Sequence, residues 1–149
     1  MGPRCLLVVL ACAACCTVTW AGDRPPSVNY VLRCSGCHGM DGGGHESAGV
    51  PDLRDYVGAF AMDEDGRTYL LHVPGIVNAS LSDREICAVI NYVLDNWGGT
   101  SLQPGFARFT PQEVAVRRAQ PVTDVVRFRR QIVGRLHARG IRTADYPWP

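Results

Sequence analysis

A chain of 149 residues has room for one compact domain and a short extension. Fifteen basic residues, all arginine, stand against 14 acids for a net charge of +1, so no overall field draws the chain to nucleic acid. The hydrophobic fraction of 46% suits a globular chain, although the first twenty residues inflate it.

Residues 1–21 read as an export signal. Arg4 supplies the positive start, residues 6–18 form an uncharged apolar run, and Ala21 places a small residue at the cleavage point. The run is short for a bilayer span. Ala11-Cys12 and Ala14-Cys15 raise a rival reading as a lipoprotein signal, but neither cysteine has a leucine three residues before it. An uncleaved N-terminal anchor is the other rival. Four of the seven cysteines, at 5, 12, 15 and 16, lie in this stretch. Its removal leaves Cys34, Cys37 and Cys87.

Residues 27–33 carry a helical pattern, with Val28, Val31 and Leu32 at amphipathic spacing and Ser27 as the expected N-cap. They feed directly into Cys34-Ser35-Gly36-Cys37-His38, the spacing of a c-type haem attachment motif. Each cysteine sulfur can add to one haem vinyl group, and the next residue then lies under the iron as the proximal ligand. Ser35 and Gly36 are small enough to let the turn lie close to the macrocycle. A thioredoxin-type CxxC needs a βαβ setting, and no strand pattern precedes Cys34. A zinc site needs a second ligand pair, and Cys87 stands alone. Two cysteines committed to haem c leave no disulfide framework.

Residues 39–45 hold four glycines and are expected to form a tight polar loop. With that loop the pattern becomes specific. Cys34-x-x-Cys37-His38-Gly39-x-Asp41-Gly42-x-Gly44 resembles the start of a class I bacterial cytochrome c domain. The resemblance implies an all-α fold around one covalent haem. It also implies a proline carbonyl supporting the proximal His38, for which Pro51 in Val50-Pro51-Asp52-Leu53 is the matching position. A neutral imidazole ligand needs its second nitrogen held in this way.

Further along, residues 56–62 are short and apolar, and residues 63–66 read as a solvated acidic turn. Residues 67–72 resume a helical pattern, and Val73-Pro74-Gly75 stops it, leaving residues 74–81 as a loop. Residues 82–97 carry the strongest helix signal. Ser82-Asp83-Arg84-Glu85 is a capping box, Ile86, Val89, Ile90, Val93, Leu94 and Trp97 share one face, and Gly98-Gly99 ends the run. In the cytochrome family the helix in this place crosses the N-terminal helix, a role that suits Tyr92 and Trp97. Cys87 reads as a small buried residue. The resemblance spans about residues 25–98. Gly66-Arg67-Thr68-Tyr69-Leu70-x-x-Val73-Pro74-Gly75, followed by Leu81-Ser82-Asp83, is more narrowly similar to small cytochromes encoded beside periplasmic dehydrogenases.

The division expected is therefore a signal over 1–21, a cytochrome c domain over 22–99 and an arginine-rich helical extension over 100–149. Thr110-Pro111-Gln112-Glu113 is a second capping box, opening a helix to Ala119. Another helix runs over about 123–138. Nine arginines against three acids give the extension a balance of +6, while five arginines against eleven acids give residues 22–99 a balance of −6. The extension is expected to fold back on the acidic domain. The rival is docking to an acidic partner or, peripherally, to anionic lipid.

The function expected is periplasmic one-electron transfer by a monohaem cytochrome. Its donor would be a dehydrogenase, and its acceptor another cytochrome or an oxidase, with no catalysis of its own. The alternatives are a haem enzyme or gas or redox sensor with an open distal iron, and a fixed haem subunit of a dehydrogenase complex. The distal ligand is where the chain departs from its family, because the 73–81 loop lacks the usual methionine. His72 is the first candidate for that ligand and Met62 the alternative. Met40 and His45 follow His38 too closely to reach the opposite face.

Overall fold

The computed structural model describes residues 23–146; the expected signal at 1–21 lies outside them. Eight α-helices follow one another in the described residues: α1 Pro26–Arg33, α2 Ser35–His38, α3 Val57–Ala61, α4 Glu64–His72, α5 Pro74–Val77, α6 Asp83–Trp97, α7 Pro111–Arg118 and α8 Val125–Ala138. Single 3₁₀ turns lie at Glu46–Ala48 and Gly99–Ser101. The described residues contain no strand beyond one antiparallel bridge between His45 and Val50. The all-α expectation holds.

α1 opens on proline rather than on serine. Pro25 occupies the N-cap and Pro26 the first turn, where its fixed φ is pre-set for the helix and its missing N–H costs nothing. The helix also faces the other way from its valine pattern. Val28, Val31 and Leu32 are 40%, 46% and 59% exposed, while Asn29 and Tyr30 are buried. Aromatic packing decides this. The Tyr30 ring lies 4.6 Å from the Trp97 ring and 5.9 Å from that of Tyr92, so α1 crosses α6 through rings rather than through valines.

α6 forms as its sequence dictates. The Glu85 N–H donates to Ser82 Oγ at 3.2 Å and the Ser82 N–H donates to Glu85 Oε2 at 3.0 Å, closing the capping box. Ile86, Val89, Ile90 and Leu94 are buried along one face. Residues 63–66 are not a free turn but the start of α4. Asp63 caps that helix by accepting from the Gly66 N–H at 2.9 Å. Gly66 has no side chain because the Phe60 backbone of α3 occupies the place a Cβ would take. The expected loop at 74–81 contains α5, opened by Pro74 in its first turn.

The extension packs on the rest rather than standing off it. Phe109 and Val114 are part of the main core, and Ile132 and Leu136 of α8 form a second core with Ala59, Phe60 and Tyr69. Asn91 of α6 clamps the Phe109 backbone, donating to its carbonyl at 2.9 Å and accepting from its N–H at 3.0 Å. Opposite charges then meet across the seam. Arg108 pairs with Asp95, Arg117 with Glu64, Arg118 with Asp83, and Arg135 with Asp63 and Asp65. One pair runs the other way, from Arg67 of α4 to Glu113 of α7. Glu113 thus spends its carboxylate on Arg67 and Arg117, and only the Thr110 half of the second capping box forms.

Candidate haem site

An apolar crevice runs between α1, α3, α4 and α6, with about 510 Å³ of space not filled by protein atoms. Tyr30 and Cys34 come from α1 and its end, and His38 from α2. Leu53 and Val57 come from the chain entering α3, Leu70, Val73 and Ile76 from α4 and α5, and Val89, Ile90, Val93 and Leu94 from α6. Cys34 and His38 of the CxxCH motif therefore line one cavity. The Cys37 side of the motif faces outward, since Cys37 and Gly36 are exposed. The turn joining α1 to α2 produces this arrangement. The Cys34 N–H donates to Tyr30 O at 2.8 Å, and the His38 N–H donates to Cys34 O at 2.9 Å.

His38 is held in neutral form. Burial lowers its pKa below the ordinary histidine value, and the Pro51 backbone opposes that lowering. Proline has no N–H, so the group acting on the ring is the Pro51 carbonyl. The contact stops short of a well-formed hydrogen bond, because His38 Nδ1 is buried with no partner in bonding geometry. A buried imidazole nitrogen left without a partner is costly in an apolar setting unless something else engages the ring.

The glycine loop brings Pro51 to this place. Gly44 has φ +69°, and a Cβ there would collide with the Pro51 carbonyl. The Gly44 N–H donates to His38 O at 3.0 Å, so the loop closes back on the histidine itself. Gly42 has φ +74°, and a Cβ there would sit 2.7 Å from the Trp97 ring, which packs directly on the loop. Across the motif, the Tyr30 hydroxyl donates to Gly39 O at 2.7 Å. Burial first, then the neighbouring Cys34, Asp41 and Tyr92, push the Tyr30 phenol up to about 12. Burial pushes the Cys34 thiol up as well, with Cys37 adding to it.

The other two candidates lie elsewhere. His72 ends α4, with Nδ1 2.8 Å from Thr68 O and Nε2 2.9 Å from Gln120 O. Its ring joins α4 to the segment after α7 and does not line the crevice. Met62 caps the C-terminus of α3, 37% exposed and also outside the lining. Sequence reasoning singled out neither Tyr30 as a lining residue nor the aliphatic wall of Leu70, Val73 and Ile76. The aromatic spacing of Tyr30 to the motif was the available signal for the first. No signal marked the second, since those residues read equally well as ordinary core.

No family model matches the chain. It is similar to cytochrome c-552 of Thermus thermophilus, with 33% identity over 109 residues covering 61% of this chain and 82% of the relative. A second cytochrome c-552, from another strain of Thermus thermophilus, shows the same 33% identity, with 73% of its length covered. The chain belongs to the class I c-type cytochromes. This cytochrome carries one covalently attached haem c with its iron, and acts in electron transfer with redox partners. The crevice fits such a group. It is apolar, it presents a buried neutral imidazole with an unpartnered nitrogen, and it places a cysteine beside that imidazole. No helix among the described residues is long and apolar enough to cross a membrane.

Proposed function

We propose that Cys34 and Cys37 hold the haem through thioethers, that His38 is its proximal ligand, and that Pro51 orients the His38 ring. The observation that carries this reading is the shared crevice of Cys34 and His38, in which the His38 Nδ1 is buried without a partner. The haem supplies a one-electron couple. The protein's part is to bury it in an aliphatic wall, hold the imidazole neutral and bring one edge to the surface at Cys37.

That edge is the contact for partners. Cys37 is exposed, and the neighbouring Leu32 and Met40 are 59% and 68% exposed, an uncharged apolar rim suited to brief encounters. The arginine-rich extension is structural in this reading, because four of its arginines already pair with acids of residues 22–99. The chain is exported by residues 1–21 to the periplasm, where c-type haem is attached. It accepts electrons from a periplasmic dehydrogenase and passes them to another cytochrome or an oxidase.

Potentiometric titration of the exported protein tests this. A reversible one-electron couple is expected, together with substrate-dependent reduction by a dehydrogenase fraction from the same periplasm. Absence of a reversible couple, or recovery of the haem-loaded chain only from the cytoplasm, would overturn the reading.

A further inference from the structure

The lining of the crevice carries a second message. Of its twelve residues, only Tyr30, Cys34 and His38 bear a nitrogen, oxygen or sulfur in the side chain; the other nine are leucine, isoleucine or valine. The Tyr30 hydroxyl is committed to Gly39 O at 2.7 Å, and Cys34 is taken by the thioether. His38 is thus the one lining residue free to bind iron. The segment that joins α4 to α6, where a second ligand would be expected, offers Val73 and Ile76 to the crevice.

Every other described histidine and methionine is occupied or turned outward. His72 has both ring nitrogens against carbonyl oxygens, at 2.8 and 2.9 Å, and moving it would release Gln120 and the segment after α7. His137 Nε2 is 3.0 Å from Thr143 Oγ1 on α8's far end, and His45 is exposed in the glycine loop. Met62 is 37% and Met40 68% exposed.

We propose that this cytochrome gives its haem iron a single protein ligand, His38, and keeps the opposite coordination position behind an aliphatic wall, open to a small neutral diatomic molecule. An aliphatic wall donates no hydrogen bond, so it gives no support to a bound anion such as hydroxide, while a neutral diatomic loses little by leaving water. Leu70, Val73 and Ile76 set the size limit of what enters. The chain then combines an electron-transfer edge with a ligand-binding face, which a carrier with two protein ligands lacks.

The inference rests on the attachment reading above, and the experiment separates the two. The full-length exported holoprotein is first run on a denaturing gel with haem stain, which reports attachment whatever the coordination. Its ferric form is then examined by visible and electron paramagnetic resonance spectroscopy, and its ferrous form is exposed to carbon monoxide. The expected result is retained haem, a high-spin ferric signal and a Soret band that shifts on uptake of one carbon monoxide per haem. His72→Ala and Met62→Ala should leave all three unchanged. Retained haem with a low-spin ferric spectrum and no response to carbon monoxide would overturn the open position alone. Conversion of such a spectrum to high-spin in His72→Ala or Met62→Ala would identify the ligand the proposal denies. Haem lost on the denaturing gel would instead overturn the attachment on which the inference rests.

Discussion

Replacing Glu113 by glutamine should destabilise the protein far more than its position in a basic extension suggests. Arg67 is only 9% exposed in its side chain, and its Nε and Nη2 donate to the two Glu113 oxygens at 2.6 and 2.7 Å. Its guanidinium lies 3.8 Å from the Phe109 ring centroid. Glutamine keeps one acceptor but turns an amide donor toward a buried cation. Breaking a buried pair on one side costs roughly 3–5 kcal/mol. The Ala61 and Ala107 carbonyls still accept from Arg67 Nη1 at 3.0 Å each, which places the loss near the lower end, about 3 kcal/mol. For a domain of this size that is a fall in Tm of about 12 °C. Glu64→Gln is the control. Glu64 pairs with Arg117 but is 86% exposed, so its loss should stay below about 1 kcal/mol. The assay is thermal unfolding of the holoprotein by circular dichroism, with the haem spectrum at low temperature as a check on the native state. A Glu113→Gln melting temperature indistinguishable from that of Glu64→Gln would refute the reasoning.

The same carboxylate sets an acid limit. The Arg67 hydrogen bonds first, then Arg117, hold the Glu113 pKa below its ordinary value of 4.5 against the opposing effect of burial. A carboxylate whose folded pKa is lowered adds stability above its unfolded pKa and loses it as pH falls. The Tm of the wild type should therefore drop as pH is taken below 4.5, and Glu113→Gln should show a shallower drop over that range. Gly42→Ala adds a Cβ at φ +74° against the Trp97 ring, and should cost about 3 kcal/mol from left-handed strain and overpacking together, read by denaturant midpoint. Trp97→Ala removes the ring packed on Tyr30 and the glycine loop, and should cost about 3 kcal/mol on the same assay, with faster haem-spectrum loss in denaturant. Deleting residues 100–149 removes Phe109, Val114, Ile132 and Leu136 from the two cores, and should lower the melting temperature sharply; an unchanged melting temperature would return the extension to a docking role.

How much of this was legible in the sequence differs by element. α6 was legible because local and tertiary signals agree there: a capping box, one apolar face and a glycine stop. The CxxCH motif and the glycine loop were legible because their spacing is chemical rather than statistical. α1 was legible as a helix but not in its facing. Its valines follow the amphipathic rule, yet Tyr30 buries more area against Trp97 than they could, and one ring outweighs three small side chains. The start of α4 was read as a turn because Asp63, Glu64 and Asp65 look solvated. An acidic first turn is also what a helix N-terminus favours, and the Asp63 cap resolves the ambiguity. The site's polar half was visible from residue types alone. Its aliphatic half was not, because a leucine or valine that faces a cofactor and one that faces core carry the same letter. Arg67 was invisible for a related reason. An arginine reads as surface until its partner is known, and Glu113 lies 46 residues away.

Everything above turns on Cys34 and Cys37 attaching the haem on which the fold closes. Intact-mass spectrometry of the exported, fully unfolded protein tests that attachment most directly. The expected mass is higher than that of the processed polypeptide by one haem, an increment abolished in the Cys34→Ala/Cys37→Ala double variant. A wild-type mass equal to the bare polypeptide, or a double variant that still carries haem through unfolding, would contradict it.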